Sequence, residues 1–167
     1  MHVQTILFRT GAALLVAAGL AACTTPQPPV RPGVNIPPPV QQPQAQFIRP
    51  ASGSTIARFD GVRSKGLDIA GNLGDPIVAS ADGRVVYVGS ELRGYGNMVI
   101  VKHNETFLTA YAHAQTILVK ENAVVRQGQK IAEMGKSDAD RVKVHFEIRK
   151  NGTAVDPEPY LSGRLQQ

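Results

Sequence analysis

The chain has no tryptophan and a single cysteine in 167 residues, and aromatic side chains make up only 5% of it. With Cys23 alone, a disulfide within the chain is excluded, so the fold has to rest on packing and hydrogen bonding. No apolar run reaches the roughly 20 residues that a membrane-crossing helix needs. Long helical periodicity and internal repeats are also missing, which argues against a helical bundle or a solenoid. There is no clustered basic and aromatic stripe, and nucleic acid is not an expected partner. Acidic residues are scarce relative to basic ones, 13 against 18, and the formal net charge of +5 suits anionic glycan or lipid surfaces.

What the chain does have is strong punctuation at its start. Arg9 precedes an apolar run from Gly11 to Leu20, and Ala21-Ala22-Cys23 follows. A charged segment, a short apolar segment and small residues in that order have the shape of a secretory signal peptide over 1–22. Leu20-Ala21-Ala22-Cys23 also resembles a bacterial lipobox, which implies lipidation at Cys23. Thr24 in the next position implies, by the same resemblance, an outer-membrane lipoprotein with its domain facing the periplasm. Residues 24–50 hold nine of the twelve prolines, with glutamine and almost no charge. Such a segment cannot bury a core and is expected to be an extended tether, reaching on the order of 80 Å at ~3.1 Å per residue. The expected division is therefore signal peptide 1–22, lipidated cysteine and linker 23–50, and one domain over 51–167.

That domain reads as all-β with antiparallel sheets. Short β-rich runs at 66–70, 76–80, 84–89, 97–103, 107–113 and 144–150 are separated by turn chemistry. Asp82-Gly83, Asn104-Glu105 and Asn151-Gly152 are expected turns, two of them dipeptides that accept φ > 0. Gly94-Tyr95-Gly96-Asn97 is a loop whose glycines permit close approach of the backbone. No segment supports a long helix.

The richest stretch is Lys143-Val144-His145-Phe146-Glu147-Ile148-Arg149. Alternation at period two puts Val144, Phe146 and Ile148 on one face and Lys143, His145, Glu147 and Arg149 on the other. The first face reads as core; the second aligns a cation, an imidazole, a carboxylate and a guanidinium.

This stretch resembles the His-x-His-Phe-Glu strand of the LytM/lysostaphin-type zinc metallopeptidases. Ser64-Lys65-Gly66-Leu67-Asp68, Gly94-Tyr95-Gly96-Asn97 and Tyr111-Ala112-His113 resemble three further motifs of that family, in the family's order. The resemblance implies zinc ligands at positions 64, 68 and 145 and catalytic imidazoles at 113 and 143. Here Asp68, His145 and His113 are kept, whereas Ser64 and Lys143 stand where the family has histidine. A serine hydroxyl is a poor zinc ligand, and a lysine ammonium repels a divalent cation. The expectation is a pseudo-metallopeptidase without zinc; a structural alternative for Asp68 is a simple pair with Lys143. His103 is the one spare imidazole in the domain.

Domains altered in this way resemble the division-associated murein hydrolase activators of the NlpD and EnvC types. That resemblance implies a protein that cuts nothing itself. Its groove would bind a periplasmic N-acetylmuramoyl-L-alanine amidase and draw an inhibitory helix from that enzyme's zinc site. The groove residues implied are Lys65, Asp68, Tyr95, Met98, His113, Lys143, His145 and Arg149. No glycan-binding LysM module lies between anchor and domain, unlike NlpD. Two other readings are a zinc endopeptidase with an unusual ligand set and a passive peptidoglycan-binding lipoprotein.

Overall fold

A computed structural model describes residues 47–165, so the expected signal peptide, lipidation site and tether up to residue 46 lie outside the described residues. In chain order the strands are β1 Thr55–Ala57, β2 Leu67–Ala70, β3 Pro76–Val78, β4 Gly83–Gly89, β5 Met98–Lys102 and β6 Phe107–Ala112. Then come β7 Ala114–Ile117, β8 Val124–Val125, β9 Lys130–Met134, β10 Lys143–Lys150 and β11 Thr153–Val155, followed by one short helix, α1 Glu158–Leu161. All strand pairings described are antiparallel, as expected for an all-β domain.

The strands form an eight-stranded sheet in the order β1-β2-β10-β6-β5-β4-β8, with β11 on β10, and a three-stranded sheet β3-β9-β7. Strand β10 is the organising element. It pairs with β6 from His145 to Lys150 on one side. On the other it pairs first with β2, through 143–146, and then with β11, through 148–150. The β10–β11 hairpin turns at Asn151-Gly152, both at positive φ (49° and 79°), the twist a two-residue hairpin requires.

Val144, Phe146 and Ile148 are fully buried, as alternation predicts. One cluster joins them to Leu67 and Ile69 of β2, Val99 and Val101 of β5, and Ile77, Ile131 and Met134 of the small sheet. Each such side chain contributes roughly 1.5–3 kcal/mol by leaving water. On the opposite face of the large sheet lies a second, smaller cluster of Met98, Ala110 and Ala112, flanked by Tyr87, Tyr95 and Ile100.

Two expectations shift. The domain begins before residue 51: Phe47 is 2% exposed and meets His103, Phe107 and Tyr160 edge-on. Ile48 N–H donates to Ser80 O (2.8 Å) and Val78 N–H to Pro50 O (2.9 Å), so residues 47–50 are part of the folded domain rather than the linker. Asp82-Gly83 is a bend without positive φ, and Gly83 opens β4. Glycine is needed there for room, since a Cβ would lie 2.5 Å from Lys102 O.

Candidate functional site

The polar face of β10 and Asp68 of β2 form a ladder of alternating charge. Register places His145 opposite Asp68. Asp68 Oδ2 accepts from Lys143 Nζ at 2.8 Å and Oδ1 from His145 Nδ1 at 2.6 Å. His145 Nε2 lies 3.3 Å from Glu147 Oε1, and Glu147 Oε2 accepts from Arg149 Nη1 at 2.6 Å. The hydroxyl of Tyr95 completes the row by donating to Glu147 Oε1 at 2.8 Å. Cation, carboxylate, imidazole, carboxylate and guanidinium alternate, and each neighbour stabilises the next.

The electrostatics follow from that order. Burial pushes the Asp68 carboxyl up, but hydrogen bonds from His145 and Lys143 outweigh it and hold its pKa at about 2. Burial disfavours charge on His145 too, yet hydrogen bonds to Asp68 and Glu147 on either side lift its pKa to about 9. His145 is therefore an imidazolium at neutral pH, with neither ring nitrogen offering a lone pair. His113 moves the other way: burial lowers it, and the Lys143 and His145 charges add to that.

His113 sits at the end of β6 with φ 64°, a conformation non-glycine residues rarely adopt. Its N–H donates to Tyr95 O (2.9 Å), and its ring Nδ1 lies 2.9 Å from Ser137 O, an acceptor that fixes the proton on that nitrogen. The Tyr95 loop is held from the other side as well. Gly94 N–H donates to Asp138 Oδ2 (2.6 Å) and Asn97 N–H to Ser137 Oγ (2.9 Å).

The expected groove residues divide between two cavities. A cavity of about 340 Å³ is lined by Ser64, Lys65, Asp68, Tyr95, His113, Lys143 and His145, together with Ala57, Arg63 and Gly94. Met98 and Arg149 line a neighbouring cavity of about 410 Å³, which is mostly apolar, with Leu92, Tyr95, Ile100, Leu108, Ala110 and Glu147. Tyr95 is the wall the two share.

The Ser64 hydroxyl is engaged by backbone: it donates to Gly66 O at 3.0 Å, within a loop whose Val62, Arg63 and Ser64 N–H groups all donate to Asp60 Oδ1. Lys65 folds back so that Nζ donates to Gly61 O at 2.5 Å. His103 is engaged elsewhere, 2.8 Å from both Asp82 O and Thr109 Oγ1 and edge-on to Phe47.

Sequence reasoning left Glu147 out of the site, although it is 0% exposed and bonds Tyr95, His145 and Arg149. Its place on the polar face of β10 was the available signal. The apolar wall of Leu92, Ile100, Leu108 and Ala110 was missed as well, because it assembles only across strands β5 and β6 and the preceding loop.

Residues 62–157 match the sequence profile of peptidase family M23. The chain belongs to that family. The chain is 56% identical over 117 residues to the lipoprotein NlpD/LppB homolog of Pseudomonas aeruginosa, a match covering 69% of this chain and 39% of that protein. It is 50% identical over 117 residues to the murein hydrolase activator NlpD of Escherichia coli, covering 69% and 31% respectively. The chain thus spans two fifths or less of the length of these curated relatives. Among solved structures, a zinc-containing peptidase from Vibrio cholerae is similar with a TM-score of 0.64 and 29% identity, over 68% of this chain and 39% of that one. The M23 fold is the one expected from the order of the four motifs. Among the described residues, no group of three or more His, Cys, Asp or Glu side chains lies together in a way that could hold a metal ion.

Proposed function

We propose that the chain is a lipid-anchored, non-catalytic activator of a periplasmic N-acetylmuramoyl-L-alanine amidase in the splitting of septal peptidoglycan. The relatives named NlpD support this reading, and one of them carries the name murein hydrolase activator. The observation that carries it is the closed ladder on β10. A catalytic zinc needs three protein ligands and an open position for water. The residues do not fit that requirement. Asp68 spends its two oxygens on Lys143 and His145, His145 is held protonated, and the hydroxyl at position 64 is bonded to backbone. Zinc would have to displace an ammonium and a proton together. The site therefore acts as a surface rather than a centre of hydrolysis.

That surface has an apolar half around Met98 and a charged half around Lys143, with Tyr95 between them. An amphipathic helix of the amidase fits such a groove with its apolar face toward Tyr95 and its carboxylates near Lys65 and Arg149. Binding the open state of the amidase more tightly than the closed one shifts that population and exposes the enzyme's own active site. The anchor is acylated Cys23, with the chain at the outer membrane and the domain in the periplasm.

Tyr95→Ala and Arg149→Ala test this. Each is expected to lower stimulation of the cognate amidase by an amount corresponding to about 2 kcal/mol, the hot-spot scale for these residue types. Thermal unfolding followed in parallel separates lost contact from lost fold. Two folded variants that stimulate as well as the unaltered chain would remove the groove from the account.

A further inference from the structure

Glu147 is the only buried acid among the described residues, and it is 0% exposed. Burying an ionised carboxylate costs several kcal/mol unless its lone pairs are met by charged or hydroxyl donors. Here both oxygens are met. Oε1 accepts from Tyr95 OH (2.8 Å) beside His145 Nε2, and Oε2 accepts from Arg149 Nη1 (2.6 Å). The rest of the Arg149 guanidinium is also tied down, since Nε and Nη2 donate to Gly152 O at 3.2 and 3.0 Å. Tyr95 arrives from a loop 52 positions away in the chain, and its ring is the wall between the charged and the apolar cavity.

We propose that Glu147 is a positioning residue for the partner surface: its buried carboxylate fixes Tyr95 and Arg149 relative to one another. This deepens the activator reading and rests on it. Two long side chains held before the encounter lose little freedom on binding, so the gain is in affinity and not in the maximal effect. A carboxylate that served only the fold would leave the affinity of the folded protein unchanged.

The test is amidase stimulation titrated with the purified chain, reading the half-maximal concentration and the plateau separately. Glu147→Gln is expected to raise the half-maximal concentration roughly tenfold or more, the size of one hydrogen bond to a charged group, with the plateau kept. Placed in a Tyr95→Phe/Arg149→Ala background, the same change is expected to add nothing, because the residues it acts through are already altered. An unchanged half-maximal concentration in Glu147→Gln overturns the proposal, as does an undiminished effect in the double background. If Glu147→Gln does not fold, Glu147→Leu/Arg149→Leu replaces the ion pair with apolar side chains; it is expected to be weaker than Arg149→Leu alone, and equality overturns the proposal. Normal stimulation by Tyr95→Ala and Arg149→Ala would instead sink the activating groove itself.

Discussion

His145 owes its charge to the two carboxylates that bracket it, and this makes the ladder's stability depend on pH in a defined sense. Its folded pKa of about 9 lies above the ordinary imidazole value of 6.5. The stabilisation is therefore fully present below about 6.5 and is lost as pH rises through about 9. Asp68 behaves oppositely: held at about 2, it contributes above its ordinary 3.8 and is lost as pH falls toward 2. His103, lowered mainly by burial, favours the fold only while neutral, so its contribution declines as pH falls below 6.5. Between pH 7 and 9.5 the unaltered chain is expected to lose on the order of 2 kcal/mol relative to His145→Gln, measured by denaturant unfolding at each pH. Parallel pH profiles for the two proteins would mean that His145 is not held as an imidazolium.

The loop from Leu92 to Asn97 is where local backbone chemistry serves the groove. Gly94 and Gly96 both have positive φ, 87° and 58°, but their surroundings differ. A Cβ on Gly94 meets nothing within 4 Å, whereas one on Gly96 would lie 2.3 Å from Ser137 O. Gly94→Ala is therefore expected to cost about 1 kcal/mol of backbone strain, and Gly96→Ala about 2–3 kcal/mol, because the Ser137 clamp must also move. Equal losses of stability for the two variants would contradict this account of the clamp. Strand β10 was legible in advance because its alternation is strict and its turn is Asn-Gly. Strand β9, Lys130-Ile131-Ala132-Glu133-Met134, was not, because it is charged, carries one β-branched residue and is defined by its neighbours β3 and β7. The same limit applies to Glu147. A carboxylate on the polar face of a strand reads as solvated, and the distant Tyr95 loop that meets it is not visible in the local pattern. The order of motifs placed Asp68, Lys143, His145 and His113 around one cavity; the separation of Met98 and Arg149 into a second one depends on packing that no local pattern carries.

Across the whole chain, a cysteine at position 23 precedes a proline-rich segment and a domain whose core begins at Phe47. If acylated Cys23 is the anchor, Cys23→Ser is expected to be lost from the outer-membrane fraction, since lipid chains hold a protein by about 0.8 kcal/mol per buried methylene. Retention of that variant in salt-washed outer membranes would contradict the lipid anchor. The central claim, an M23 domain that activates and does not cut, is tested most directly by release of dye from labelled sacculi. The purified chain alone is expected to release none, with or without added zinc, and to accelerate release severalfold when its cognate amidase is present, even after the chain itself has been treated with chelator. Release by the chain alone that appears with zinc and disappears in His145→Ala would contradict the account.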